Sequence, residues 1–270
     1  MKAFIQQIAS QLEAAYPKDE AESLAWWIAE ELTGLSRSQL ICGYKGTTNF
    51  PNTQDIVERL LHFEPIQYIF GHTLWCGLDL KVTPATLIPR PETAELVERV
   101  ERLKVNDERS KVLDVGTGSG CIAIALKKAH PEWQITGIDI SSKAIEVARE
   151  NACKNKVEVE FIQKDIFSDS IGHFDIIVSN PPYIRESEKV SMRPNVLDHE
   201  PSTALFVPDE DPLKFYRRIA ELKSGRHLFF EINEAFGKDL ADMLGSMGYT
   251  DIHLTKDIYG KDRIIEGRMA

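Results

Sequence analysis

No run of 18 or more apolar residues occurs in the 270-residue chain, so no segment suits a transmembrane helix and no membrane partner is expected. The opening stretch, MKAFIQQIASQLEAAYPKDE, carries charges and glutamines where a signal peptide needs an apolar core, and a cytoplasmic protein is expected. Cysteine is scarce. The four residues, Cys42, Cys76, Cys121 and Cys153, are scattered with no CxxC pair, which argues against disulfides and zinc and leads us to expect idle thiols and no metal. Basic residues are outnumbered, 32 against 42, for a net charge of −10. The imbalance holds over residues 1–80, where Lys2, Lys18, Arg37, Lys45 and Arg59 face ten acids. A free-standing nucleic-acid grip shows a basic stripe, because phosphate contacts supply most non-specific affinity. None is present, and no stable nucleic-acid binding is expected; Arg185, Lys189 and Arg193 suggest at most a small basic rim. Internal repeats and low-complexity segments are also missing.

What is present has two textures. Residues 1–73 read as a small all-α bundle. FIQQIASQLEAA places Phe4, Ile5, Ile8 and Leu12 on one helix face. AESLAWWIAEELTG does the same with Leu24, Trp27, Ile28 and Leu32 and has Gly34 as its C-cap; Trp26 and Trp27 are read as core packing. NTQDIVERLLHFEP predicts a further helix stopped by Pro65. Residues 74–90, with short alternation broken by Gly77 and Pro84, predict a linking β-hairpin. From residue 91 to 270 a helix, with Pro91 in its first turn, is followed by alternating strands and helices. That order implies a doubly wound α/β sheet with ligands at the carboxyl ends of its strands.

The stretch LDVGTGSGCIAIAL is a strand, a glycine turn and a helix. Its loop, Gly116, Thr117, Gly118, Ser119 and Gly120, has GxGxG spacing, whereas the dinucleotide fingerprint wants its third glycine one place later, at Cys121. Asp114 precedes the loop, and no Lys or Arg lies between Val112 and Leu126. A pyrophosphate would meet a carboxylate there and no side-chain cation. A cofactor carrying an ammonium and a sulfonium would gain from the same acid, so S-adenosyl-L-methionine is expected over NAD. Asp139, ending the strand ITGIDI, suits both ribose hydroxyls. Asp165, in QKDIF, could accept from an adenine amine, with Ile166 or Phe167 covering the ring. Three acids thus end three successive strands.

A fourth strand, FDIIVS, runs into Asn180, Pro181, Pro182 and Tyr183. Two prolines stop a strand, since neither can donate to the sheet ladder. A primary amide or aromatic amine is a poor nucleophile, because its nitrogen lone pair is delocalised. Acceptors that hold its two hydrogens aim the lone pair and help more as positive charge builds during attack. The Asn180 side-chain oxygen and the Pro181 carbonyl are expected to be those acceptors, which makes both catalytic candidates. Tyr183 offers a face for a planar amide or base.

These residues resemble the HemK/PrmC-type protein-(glutamine-N5) methyltransferases, which modify peptide chain release factors. The similarity is carried by EPIQYIFG, TLIPRPETAELVE, DVGTGSGCIAIAL, SNPPYI, HEPSTALF and the closing YGKDRII. It implies a helical N-terminal substrate-recognition domain, a hairpin link and a Rossmann-like class I S-adenosylmethionine-dependent methyltransferase domain. The implied substrate is the glutamine of the Gly-Gly-Gln loop in class I release factors, with S-adenosyl-L-homocysteine as the other product. Position by position it implies cofactor contacts from Gly116 to Gly120, Asp139, Ile166 and Asn180, and a glutamine held by Asn180 to Tyr183. Arg90 and Glu92 would shape the substrate mouth. A monomer is expected. Asn233 and Phe236 stand where the family often has glycine and glutamine, in a loop expected to lie away from the clamp. The alternatives are a glutamine methyltransferase of a ribosomal protein, an amino-methyltransferase of DNA or RNA bases, and a non-catalytic binding module that kept the fold.

Overall fold

The computed structural model describes residues 1–103 and 109–269, so residues 104–108 and 270 of the expected catalytic span lie outside the described residues. It divides into two compact units, residues 1–71 with 194–199, and residues 72–193 with 200 onward. The first unit holds helices α1 (Lys2–Leu12), α2 (Lys18–Thr33), α3 (Arg37–Ile41), α4 (Thr53–Leu61) and α5 (Ile66–Phe70). Its core joins Ile5, Ile8 and Leu12 of α1 to Ile28 of α2 and Ile56, Val57 and Leu60 of α4. The inward stripe of α2 is mostly alanine (Ala21, Ala25, Ala29), while Trp26 and Trp27 pack partly buried against the same cluster. Gly34 ends α2 at φ 66°, donating its N–H to the Glu30 carbonyl at 2.8 Å.

Two readings of this region need correction. The fourth helix ends at Leu61 rather than at Pro65, because Phe63 turns the chain at φ 60°. Pro65 instead N-caps α5, where its missing N–H costs nothing. Helix α3 was not foreseen. It is started by a capping box in which the Ser36 side chain takes the Gln39 N–H and the Gln39 side chain takes the Ser36 N–H.

The second unit opens with a hairpin, β1 (His72–Trp75) and β2 (Leu78–Lys81), turned by Cys76 and Gly77 at φ 49° and 70°. It is therefore shorter than the 74–90 span expected. Nor is it a spacer: Trp75, Leu78 and Leu80 enter the core of this unit. Then come α6 (Pro91–Glu101), β3 (Lys111–Val115), α7 (Cys121–Ala129), β4 (Gln134–Asp139), α8 (Ser142–Asn155), β5 (Glu160–Gln163) and β6 (Phe174–Ser179). A short β7 (Ile184–Arg185), the helix α9 (Pro194–Leu197) of the first unit and β8 (Phe206–Val207) follow. The chain ends with α10 (Lys214–Glu221), β9 (Gly225–Glu231), α11 (Gly237–Ser246), β10 (Tyr249–Lys256) and β11 (Asp262–Met269).

Seven strands form one sheet in the order β10-β11-β9-β6-β3-β4-β5. The five from β5 to β9 are parallel, and β11 and β10 close the far edge antiparallel. Neighbouring residues of β3 face opposite ways: Val112 joins the cluster containing residues of α6, α7 and α8, and Leu113 the cluster containing residues of α10 and α11. Both sheet faces are covered, which is why these strands read as near-continuous apolar runs. The strand order reverses between β3 and β6, and ligands of open α/β sheets bind at the carboxyl ends of such a switch point.

Candidate active site at the strand switch point

The glycine loop leaves β3 and enters α7 through three left-handed positions, Gly116, Gly118 and Gly120, at φ 72°, 53° and 81°. Only glycine takes such angles without strain. At Gly120 space is also short, since a Cβ would lie 3.0 Å from the Phe161 ring and 3.1 Å from Ala148. The loop is pinned to the end of β4: the Gly116 and Thr117 N–H groups both donate to the Ile138 carbonyl at 2.9 Å. Asn151 of α8 accepts the Lys81 N–H and donates to the Lys81 and Ser119 carbonyls, so one buried amide fastens the hairpin to the loop.

Asp114 is fully buried in β3. Its Oδ2 accepts from the Thr117 hydroxyl at 2.6 Å and from the Ala123 N–H at 3.3 Å, while its Oδ1 has no partner. Burial pushes its carboxyl up to about 7, against those two hydrogen bonds and with a further push from Asp139. Asp139, at the tip of β4, accepts from the Gly118 N–H through Oδ2 and the Ser141 N–H through Oδ1, both at 2.9 Å. Burial raises its pKa against those bonds. It does not cap α8; Ser141 does, accepting from the Ala144 N–H at 3.2 Å. Asp165 lies beyond β5 and accepts the Phe167 N–H at 2.9 Å, an Asx turn that leaves Ile166 buried and Phe167 exposed.

Asn180 follows β6 directly, and its Nδ2 donates to the Thr93 hydroxyl at 3.2 Å. Thr93, in the first turn of α6, donates in turn to Glu231 Oε2 at 2.7 Å. The Tyr183 hydroxyl donates to the other oxygen of the same carboxylate at 3.1 Å. Glu231 ends β9 and is 1% exposed. Burial lifts its pKa above the ordinary range, opposed by the hydrogen bonds from Thr93 and Tyr183 and by nearby Arg263. Burial also raises the Tyr183 phenol, and Glu231 adds to the effect, so this hydroxyl is a donor and not a proton acceptor at neutral pH. Arg90 is tied to the buried Glu200, which also takes the Ile88 N–H, while Trp75 donates to the Arg90 carbonyl at 2.8 Å. Glu92 stands close enough to Glu231 to push its pKa further up.

Two family models match this chain, the PrmC N-terminal domain over residues 3–71 and the Methyltransferase small domain over residues 93–198. A Release factor glutamine methyltransferase of Bacteroides thetaiotaomicron is 45% identical over 269 residues, covering 96% of each chain. Another from Flavobacterium psychrophilum is 41% identical over 98% of each, and one from Streptococcus pneumoniae 38% identical over 92% of this chain. The chain belongs to the release factor glutamine methyltransferase family.

Its fold is shared more widely. The hMettl16 catalytic domain in complex with a 3'UTR hairpin superposes with a TM-score of 0.58 at 18% identity, over 72% of this chain and 76% of that one. A methyltransferase from Pyrococcus furiosus gives 0.53 at 18% identity, over 81% of this chain and 98% of that one. In this chain the acids at the ends of β3 and β4, the glycine loop and the NPPY turn all lie at the carboxyl ends of strands flanking the switch point. Asp165, Ile166, Arg90 and Glu92 come from the flanking segments.

Two residues escaped the sequence reading, Thr93 and Glu231. The rule that singled out Asp139, an acid at the carboxyl end of an apolar strand, applies equally to Glu231 in LFFE and would have found it. Two expectations fail. Asn233 does not lie away from the clamp, because its Nδ2 donates to the Tyr183 carbonyl at 3.3 Å while its Oδ1 takes the Ala235 N–H at 3.0 Å. The suggested basic rim is largely neutralised within its own loop, Arg185 pairing with Glu188 at 2.8 Å and Lys189 with Glu186.

Proposed function

We propose that this chain methylates the side-chain amide nitrogen of the glutamine in the Gly-Gly-Gln loop of class I peptide chain release factors, with S-adenosyl-L-methionine as donor. The donor, when bound, supplies an electrophilic methyl carbon on sulfur and leaves as S-adenosyl-L-homocysteine. The residues present fit such a molecule. The partnerless Oδ1 of Asp114 is a buried acceptor waiting for a donor, and an ammonium group answers it with opposite charge. Asp139, held by two backbone amides, keeps lone pairs for the ribose hydroxyls. Asp165 serves an exocyclic amine, with Ile166 and the exposed Phe167 ring against the base. The left-handed Gly116 and Gly118, where a Cβ would stand in open space, bring bare backbone to the cofactor's edge.

On the substrate side, Asn180 Oδ1 and the Pro181 carbonyl accept the two hydrogens of the glutamine amide. They hold its lone pair toward the methyl group and gain strength as the nitrogen becomes positive. Pro182 keeps that carbonyl free by offering no N–H, and the Tyr183 ring, its hydroxyl tethered, gives the planar amide a rigid wall. Arg90 and Glu92 shape the mouth, Arg90 from a guanidinium fixed on Glu200. No strong general base is required, because the alkylated nitrogen is acidic enough to lose its proton to water.

The full-length likeness to release factor glutamine methyltransferases carries the choice of substrate. Those relatives favour neither a ribosomal-protein nor a nucleic-acid acceptor. We infer a recognition role for the helical first unit, which the PrmC N-terminal domain model matches. The test is a transfer assay with donor labelled in its methyl group, offered release factor, ribosomes and DNA separately. Label is expected in the release factor alone; label in ribosomes or DNA with none in the factor overturns the reading.

A further inference from the structure

The clamp proposed above is held from behind. Asn180 and Tyr183 sit at the two ends of the NPPY turn, and both run to one buried carboxylate, Asn180 through Thr93 and Tyr183 directly. We propose that Thr93 and Glu231 are positioning residues for methyl transfer: Thr93 fixes which way the Asn180 amide faces, and Glu231 fixes Thr93 and the Tyr183 ring together. The proposal rests on the reading of Asn180 as the acceptor for the substrate amide.

The direction of the hydrogen bonds carries it. A threonine hydroxyl has one hydrogen, and here it points to Glu231 Oε2 at 2.7 Å. Thr93 therefore gives its hydrogen to Glu231 and turns lone pairs toward Asn180. Only the NH2 side of the Asn180 amide can meet those lone pairs, which leaves Oδ1 on the opposite side, facing away from Thr93. A flipped amide would set oxygen against oxygen here and offer donors where the substrate also has donors. The reacting amide would then be repelled instead of held.

The carboxylate is itself well anchored. Tyr216 donates to the Glu231 backbone carbonyl at 3.0 Å. Arg263, bonded to Asp257 at 3.1 Å, supplies compensating charge next to Glu231. The three parts arrive from the start of α6, the end of β6 and the end of β9. The β6–β9 register aligns Ser179 with Phe230, so Asn180 and Glu231 are the next residues along each strand.

The experiment compares Thr93→Val, which keeps the branched shape without the hydroxyl, Thr93→Ser, which keeps the hydroxyl, and Asn180→Ala as reference. Rates on purified release factor, KM for that factor, cofactor affinity and thermal midpoint are measured for each. Thr93→Val is expected to lower kcat by about 10- to 100-fold, the scale for a misdirected transition-state contact, with KM and cofactor affinity within about threefold. Thr93→Ser is expected to return kcat to within about fivefold of wild type. A Thr93→Val kcat within twofold of wild type, a Thr93→Ser as slow as Thr93→Val, or a loss seen only in cofactor affinity overturns the proposal. Full activity in Asn180→Ala defeats the clamp reading itself, a distinguishable failure. Should Thr93→Val not fold, Glu231→Gln carries the test, with a kcat loss of about tenfold or more expected and an unchanged kcat overturning the proposal.

Discussion

Asp114 has one oxygen satisfied and one bare, and burial that pushes its carboxyl up to about 7 leads us to expect a response to both pH and the proposed cofactor. A carboxyl near 3.9 in the unfolded chain that titrates at about 7 when folded binds its proton more tightly in the native state. Its contribution to stability is then full below the unfolded pKa and lost as pH rises through about 7. Asp114→Asn, neutral throughout, is expected to raise the thermal midpoint of the cofactor-free enzyme more at pH 8 than at pH 5. The same substitution removes the charge proposed to meet the cofactor's ammonium, so calorimetry at pH 8 should show weaker cofactor binding. In the wild type, affinity should fall between pH 8 and pH 6 as protonation competes with the ligand. Affinity that rises over that interval, or an Asp114→Asn enzyme that binds as tightly as wild type, contradicts this assignment.

At the scale of elements, the loop between β3 and α7 depends on a neighbour with no chemistry of its own. Gly137 in β4 lies beneath it, and a Cβ there would stand 2.7 Å from the Phe161 ring and 2.8 Å from the Thr117 hydroxyl. Gly137→Ala is expected to cost roughly 1–3 kcal/mol by overpacking. It should also push Thr117 off Asp114 and weaken cofactor binding. Urea unfolding and calorimetry check both, and an unchanged midpoint with unchanged affinity refutes the packing argument. Helices α1 and α2, the Gly34 cap and the alternation of strands and helices in the second unit were legible because periodicity, turn residues and strand–helix alternation are local signals. Helix α3 was not, since five residues give the 3.6 period too little length. Thr93 was not because PETA reads as a helix start, and Glu231, though open to the rule that found Asp139, carries no local sign of its partners. Only the pairing of β6 with β9, over 40 residues apart in the chain, sets Glu231 beside Asn180. The Pro194–His199 segment was assigned with the α/β part and groups instead with the helical unit, a long-range association with no local mark.

For the whole molecule, the proposed chemistry draws only on the second unit, and recognition is the role we propose for the first. Deleting residues 1–71 is therefore expected to leave cofactor affinity within about threefold. Turnover of intact release factor should drop by about tenfold or more, one decade for each 1.4 kcal/mol of lost recognition. A short Gly-Gly-Gln peptide should be methylated by both forms at similar rates. Equal turnover of the intact factor by both forms would show that the helical unit has another task. The central claim, that the NPPY turn holds a planar glutamine amide for methylation, has a direct test in tandem mass spectrometry of the Gly-Gly-Gln peptide from release factor treated with enzyme and donor. Wild-type enzyme should add one methyl group to the glutamine side-chain nitrogen. Asn180→Ala should slow that addition by about two to three orders of magnitude, beyond any loss of cofactor affinity. A factor whose glutamine is replaced by glutamate should stay unmodified at that position. A methyl group on a different residue, or full activity in Asn180→Ala, would contradict the account.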